Sequence, residues 1–376
     1  MKVVFVSNYF NHHQKPFCDE MYEKLCGNFT FISTTVMREE RIRLGYLQGQ
    51  PPDYVLLSYE SEKKKKEAIS LINEADVVIA GSAPDEMLLQ RIRSDKLTLR
   101  YSERPFKREK SFVKKIYHAF YFRKRDLFKD NIYMLCAGAY AEKDFSSIGI
   151  YKNRTYKWGY FPAVKEYDVD SLFSAKKNNV IMWCGRLIDW KHPDDAVILA
   201  SKLKKIGYDF SLNIVGNGVM ENELKSLVED AGLSDVVNFM GSMPPEKVRY
   251  CMEEAGIFIF TSDRQEGWGA VLNEAMNSGC AVVASDATGA ASYLINDGTN
   301  GMLYPSTDTD TLFQKVRYLL DNTEKQKALG IAAYHTVKNL WNAKVAAERI
   351  LQLSERLLKG EKHPVLFETG PCSETN

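Results

Sequence analysis

Phe258 to Ser285 reads FIFTSDRQEGWGAVLNEAMNSGCAVVAS. A short apolar run ends near Thr261, and a loop carrying Glu266-Gly267-Trp268-Gly269 follows. A helix is expected from Ala270, and a second apolar run begins after Gly279. Strand, glycine loop, helix and strand in this order make the repeating unit of a parallel sheet buried on both faces.

The same unit recurs in both directions along the chain. Val3–Ser7, Phe29–Ser33, Val77–Ala80, Leu97–Tyr101 and Ile132–Cys136 form one series of apolar, β-branched runs. Val180–Cys184, Phe210–Val215, Val236–Met240, Gly256–Thr261 and Cys280–Ala284 form a second. The fold class is therefore α/β, with two Rossmann-like domains in tandem and ligands expected at the carboxyl ends of both sheets. Residues 1–165 are read as the N-terminal domain, 166–179 as a polar linker and 180–342 as the C-terminal domain. A helix over 343–360, with Val345, Ile350, Leu353 and Leu357 at helical spacing, precedes a tail, 361–376, expected to fray.

The whole chain has 376 residues with 50 Lys and Arg against 49 Asp and Glu, a net charge of +1. Two domains suit that length, and the balance disfavours a uniformly basic nucleic-acid binder. The neutrality is a cancellation, because residues 1–170 carry 29 basic and 23 acidic groups and residues 171–376 carry 21 and 26. No window has the roughly 18 apolar residues of a spanning helix. The apolar run at the N-terminus is too short for a signal-peptide core. Seven cysteines without a C-x-x-C pair read as reduced thiols, which suits a cytoplasmic protein. Neither a metal nor a cofactor is expected.

Several short motifs fail on inspection. Gly216-Asn217-Gly218 follows a strand, but Glu221 stands where a dinucleotide fingerprint has its third glycine, so a tight turn is the stronger reading. Asp168-Val169-Asp170 lies in the linker, and Asp308-Thr309-Asp310 sits at a helix start, where Asp caps a free N–H. The 258–285 segment is different. Gly267 and Gly269 allow close backbone approach, and a helix start offers unpaired N–H groups to an anion. Glu274, one turn into that helix, leans back toward its N-terminus. Glu266 and Glu274 could thus frame a polyhydroxylated phosphate ester; alternatively, Glu266 caps the helix and Glu274 faces solvent.

At this point the chain resembles retaining glycosyltransferases of family 4 (glycosyl transferases group 1), whose signature is Glu, seven residues and a second Glu, within E-G-aromatic-G and ending E-A-M. Here it runs Glu266-Gly267-Trp268-Gly269-Ala270-Val271-Leu272-Asn273-Glu274-Ala275-Met276. Three further elements match: Gly185-Arg186-Leu187 with Lys191 after it, Val215-Gly216-Asn217-Gly218, and Phe239-Met240-Gly241. The match is specific from about Val180 to Pro305 and looser over residues 1–170. The resemblance implies a GT-B fold, two Rossmann-like domains facing across a cleft, with the C-terminal helix crossing back to the first.

It also implies a metal-independent reaction on a nucleotide-sugar, UDP- or GDP-linked. Arg186 and Lys191 would neutralise the diphosphate, Glu274 would hold the ribose hydroxyls, and Glu266 would contact the transferred sugar. Amides of Gly267, Trp268, Gly269, Ala270 and Val271 would hold sugar and phosphate oxygens, with Gly216 on the donor side and Met240 and Met243 bordering the base. The expected product belongs to surface polysaccharide or lipopolysaccharide biosynthesis, built on a saccharide or lipid-linked acceptor. A non-catalytic scaffold of the same fold and a nucleotide-sugar epimerase are the alternatives.

The N-terminal half supplies candidates for the acceptor side. Asn11, His12 and His13 occupy the loop after the first strand, where many relatives have two glycines and this chain has none. They read either as ligand groups or as solvated side chains. Glu103 could orient an acceptor hydroxyl or act as a base, or simply stabilise a turn with Arg104. Residues 91–129 carry 14 Lys or Arg and 4 Asp or Glu, interleaved with aromatic residues. That mixture suits an anionic membrane surface, which implies a peripheral protein on the inner face of the cell membrane. No nucleic-acid motif accompanies it. Phe112, Ile116 and Phe120 are expected to give the same stretch a core-facing helix side.

Overall fold

The computed structural model describes residues 1–39, 49–108 and 112–375, with the side chain of Phe112 outside the description. Residues 109–111 of the basic stretch therefore lie outside the described residues as well. The chain forms two compact units, Met1–Ala163 with Trp341–Asn376, and Val164–Leu340.

Unit 1 holds strands β1 (Val3–Ser7), β2 (Phe29–Ser33), β3 (Val55–Leu57), β4 (Val77–Ala80), β5 (Thr98–Ser102), β6 (Ile132–Ala137) and β7 (Thr155–Trp158). They form one sheet in the order β3-β2-β1-β4-β5-β6-β7, parallel throughout. Its helices are α1 (Lys15–Lys24), α2 (Glu62–Glu74), α3 (Asp85–Arg93), α4 (Phe112–Arg125) and α5 (Ala139–Ser146). Val4, Val6, Ile32, Val78, Met134 and Cys136 belong to one buried cluster with helix residues such as Ile72, Leu88 and Phe145. Strand cores covered by helices explain the near-continuous apolar runs in the sequence.

Unit 2 begins with helix α6 (Val169–Ser174) and holds β8 (Lys177–Cys184), β9 (Ser211–Val215), β10 (Val237–Gly241), β11 (Ala255–Phe260), β12 (Ala281–Ser285) and β13 (Met302–Tyr304). The order is β10-β9-β8-β11-β12-β13, again all parallel. Helices α7 (Pro193–Lys205), α8 (Glu221–Asp230), α9 (Pro245–Glu254), α10 (Val271–Asn277), α11 (Ala291–Leu294), α12 (Thr309–Asp321) and α13 (Thr323–Asn339) connect and cover these strands. In both sheets the chain winds to one side, returns to the middle and winds to the other. That reversal falls between β1 and β4 in unit 1 and between β8 and β11 in unit 2.

Three local expectations differ from the structure. The segment read as a linker is folded: Asp168 caps α6 by accepting from Ser171 N at 2.9 Å, and Lys165 N donates to Asn277 Oδ1 at 2.9 Å. The Lys176 ammonium donates to the carbonyls of Met252 and Ala255 at 3.1 and 2.8 Å. The tail is also held. Lys157 N donates to Ser373 O and Cys372 N to Lys157 O, both at 2.8 Å, so the tail occupies the open edge of β7. An edge strand leaves backbone groups unpaired, and the tail satisfies them.

The third difference lies in α4. Ile116 and Phe120 are exposed rather than core-facing. His118 and Phe122 take the core side, with Phe122 packing on Phe145 at a ring separation of 5.5 Å. Between Ala343 and Leu358 the last helix, α14, buries Ile350, Leu353 and Leu357 and packs on α1 within unit 1. Its N-cap, Asn342, accepts from Val345 N at 2.9 Å.

Several cations counted in the basic stretch are internal. Arg91 is fully buried and donates to Thr98 Oγ1 at 3.1 Å and to the carbonyls of Ile72, Ala75, Asp76 and Leu97. Arg100 reaches Asp126 Oδ1 at 2.7 Å, and Arg104 forks onto Asp144 at 3.1 and 3.2 Å.

Candidate active site

Three of the sequence elements singled out above are neighbouring strand ends stapled by backbone hydrogen bonds. Gly185 N, after β8, donates to Val215 O at 3.0 Å, and Gly216 N, after β9, donates to Gly241 O at 2.8 Å. Gly216 has φ +134°, and a Cβ there would stand 1.8 Å from the Gly185 carbonyl oxygen. No other residue type fits that approach. Gly216 is therefore committed to chain packing, in agreement with the tight-turn reading of Gly216-Asn217-Gly218.

The loop after β8 continues through a 3₁₀ turn, Asp189–Lys191, to His192, which has φ 45°. It is tied to the loop after β11. Thr261 Oγ1 accepts from the Trp183 indole at 2.8 Å and donates to Lys191 O at 2.6 Å, while Asp263 N donates to Trp190 O at 2.9 Å. Within this frame Lys191 pairs with Glu266. Their side chains are only 13% and 18% exposed, so the pair is partly desolvated and its attraction is stronger than at an open surface. Lys191 and Glu266 follow β8 and β11, the two strands at the reversal. In an open α/β sheet ligands bind just outside the strand carboxyl ends at that point.

Glu274 on α10 is half-buried, and burial pushes its carboxyl above the usual range, with Arg249 opposing. Arg249 Nη1 donates to the Glu274 carbonyl at 3.2 Å and to Asn277 Oδ1 at 2.8 Å. The Cys184 thiol, at the end of β8, lies in the field of both Glu274 and Lys191. Burial pushes it up to about 12, Glu274 adds to the rise and Lys191 opposes it. Both side chains therefore act on the same strand end.

Other expected donor residues are placed differently. Trp268 is fully buried, its indole N–H donating to Asn273 Oδ1 at 2.9 Å, so its side chain is core and only its main chain can meet a ligand. Gly269 has φ +92°, and a Cβ would stand 2.3 Å from the Phe260 ring. Gly267, Ala270 and Val271 continue this loop into α10. Arg186 is exposed, with its guanidinium 5.6 Å from the Trp190 ring centre. Met240 is exposed at the end of β10, and Met243 Sδ lies 4.0 Å from Cys251 Sγ.

Sequence reading missed one cluster. His192, Asp194 and Asp195 each offer a ligand atom, all within 4.8 Å of one another, and could hold a cation. Burial and the neighbouring Asp194 push the Asp195 carboxyl up to about 6. The signal was present as Lys191-His192-Pro193-Asp194-Asp195, but only the left-handed turn at His192 folds the imidazole back toward the acids. By contrast, Asp308 caps α12, accepting from Thr311 N at 2.9 Å.

In unit 1, Asn11 Oδ1 accepts from His13 N at 2.9 Å, and the His12 and His13 rings lie 3.8 Å apart. Their loop leaves β1 at that sheet's own reversal point. Glu103 accepts from Tyr160 OH and from the Lys107 ammonium, each at 2.6 Å. It is thus held by two donors and is not part of a turn with Arg104, which pairs with Asp144.

Two parallel Rossmann-like sheets in one chain are the GT-B fold found in glycosyltransferases. HepE of Anabaena, solved with UDP and glucose, shares the fold at a TM-score of 0.64 and 14% identity, over 94% of this chain and 99% of that one. Residues 164–336, most of unit 2 and just under half of the chain, match the model of Glycosyl transferases group 1. The amylovoran biosynthesis glycosyltransferase AmsK of Erwinia amylovora is 30% identical over 182 residues, 47% of this chain and 44% of that protein. An N-acetylgalactosaminyltransferase of Campylobacter jejuni, named for a diphospho-undecaprenol-linked acceptor, is 28% identical over 179 residues, 48% of this chain and 47% of that protein. The chain spans less than half the length of these two relatives.

Proposed function

We propose that the protein is a retaining, metal-independent glycosyltransferase that moves a sugar from a nucleotide-sugar to a saccharide or lipid-linked acceptor in surface polysaccharide biosynthesis. The Lys191–Glu266 pair at the β8/β11 reversal, with Glu274 acting on the same strand end, carries this reading. Lys191 and Arg186 supply positive charge to the departing diphosphate, where negative charge develops as the bond from the sugar C1 breaks. The acceptor oxygen bonds to C1 on the same face, and its proton passes to the departing phosphate oxygen. Glu266 steadies the transferred sugar, and the main chain of Gly267–Val271 meets sugar and phosphate oxygens. Met240 and Met243 border the base.

On this reading Asn11, His12, His13 and Glu103 of unit 1 serve the acceptor. Glu103 holds a hydroxyl through the network it shares with Tyr160 and Lys107. The setting is the cytoplasmic face of a cell membrane, met through the basic and aromatic stretch 91–129. Among the described residues no helix is long and apolar enough to cross a membrane. Both relatives quoted above are named for glycan assembly, which supports the product class.

Titration calorimetry with UDP- and GDP-sugars tests the donor site. Glu274→Ala should weaken nucleotide-sugar binding by about 1.5–3 kcal/mol through lost hydrogen bonds to a charged acceptor. Undiminished affinity refutes the ribose assignment. Turnover that survives excess chelator is expected, and its loss refutes metal independence.

A further inference from the structure

Helix α4 carries an apolar stripe on its outer side. Val113, Ile116, Tyr117 and Phe120, at spacings i, i+3, i+4 and i+7, are 73%, 55%, 66% and 62% exposed. That spacing places all four on one face of the helix. Its opposite side is already satisfied, since His118 lies against Phe106 at 5.4 Å and Phe122 against Phe145 at 5.5 Å. Among the described residues, no packing within unit 1 accounts for the apolar character of the outer four.

Charge surrounds the stripe in a defined way. The helix sequence FVKKIYHAFYFRKR contains five Lys or Arg and no Asp or Glu. Lys124, eleven residues after Val113, continues the stripe line, while Lys114 and Arg123 flank it; all three are exposed. Arg123 is anchored to the Gly149 carbonyl at 3.0 Å. Tyr121, at the margin, donates to Asp85 Oδ2 at 3.1 Å.

We infer that α4 docks in the plane of an anionic lipid surface, with Val113, Ile116, Tyr117 and Phe120 in the headgroup–acyl boundary and Lys114, Arg123 and Lys124 among the headgroup phosphates. The inference rests on the proposed membrane setting and narrows it from 39 residues to one helix face. An in-plane helix needs one apolar side and one cationic border, which is what α4 offers. Phosphates of nucleic acid would engage the same cations but would gain nothing from Val113 and Ile116. A protein groove would need a ridge matched to acidic partners, whereas a flat anionic surface asks only for apolar depth and surrounding positive charge. The cations buried as Arg91, Arg100 and Arg104 take no part.

The test is flotation of the full chain with vesicles of phosphatidylcholine alone or with about one third phosphatidylglycerol, at low and high salt. The wild type should float with the anionic vesicles only, and less at high salt. I116E/F120E should cut partitioning about tenfold or more, because two charges replace the residues meant to enter the boundary. K114E/K124E should cut binding mainly at low salt. V219E, at an 89% exposed apolar position in unit 2, should change nothing.

No binding of wild type to anionic vesicles overturns the proposal. Unchanged partitioning of I116E/F120E overturns it too, as does a change confined to oligomeric state in gel filtration, which would mark a protein contact instead. All five substituted residues are exposed, and a thermal melt run alongside confirms folding. Donor affinity of I116E/F120E should equal that of wild type, so failure of this surface is separable from failure of the nucleotide-sugar reading.

Discussion

Unit 1 and unit 2 both place arginine or lysine close to the carboxyl or amino ends of parallel strands, but with opposite consequences. Arg91 is buried beneath unit 1, and four carbonyls and a threonine hydroxyl consume its donors. Its guanidinium is pushed down to about 10 by burial. Lys191 meets a single carboxylate at a partly open strand end, and Arg186 beside it is exposed. A cation fully matched by fixed carbonyls is a structural bolt. On the function proposed above, one matched by a single carboxylate at a reversal point turns toward an incoming phosphate.

Substitutions can break or sharpen that contrast. Arg91→Ala should have the largest effect, about 3–5 kcal/mol of lost stability, because each orphaned buried acceptor costs about 1–3 kcal/mol and a cavity is added. Chemical denaturation reads this out, and a loss below about 1 kcal/mol would show that water replaces the guanidinium. Lys191→Ala should instead cost turnover, about 10²–10³-fold, if its charge meets the leaving group. Near-normal turnover in a donor-sugar assay would reassign it to structure.

Asp195→Asn should have the smallest effect, and its sign depends on pH. The folded carboxyl is raised from 3.8 to about 6, so the folded state holds its proton more tightly than the unfolded chain. The wild type therefore loses stability as pH rises from about 4 to about 6, approaching 3 kcal/mol at neutrality at about 1.4 kcal/mol per unit. The asparagine variant should recover up to that amount at pH 7.5 and gain nothing below pH 4. Melts across this range decide it, and a variant less stable at neutral pH would show that the carboxylate is compensated by a bound cation.

The strands that sequence reading found and those it missed separate along one physical line. The inner strands, such as Val3–Ser7 and Val77–Ala80, are covered on both faces and read as apolar runs. Those overlooked, Val55–Leu57, Thr155–Trp158 and Met302–Tyr304, are all sheet edges of three or four residues. At three or four residues they are too short to show a pattern, whereas the five-residue edge strand Val237–Gly241 was legible. The same limit explains α4. Ile116 and Phe120 have helical spacing, but spacing alone does not say which of two apolar stripes meets the core. His118, a polar residue, took the place expected of Phe120.

Local sequence determined the parallel α/β architecture, the position of the glycine loop and the four signature elements around Gly185, Gly216, Gly241 and Glu266. Each depends on chain-local terms: apolar periodicity, glycine freedom and helix starts. Tertiary structure alone decided that Trp268 is core and Arg91 a buried bolt. It also decided that the tail closes an edge strand, and that Lys191 and Glu266, 75 residues apart, meet across the reversal between β8 and β11. Those outcomes depend on which surfaces remain after the sheets are covered, a balance of burial and hydrogen bonding summed over residues distant in sequence.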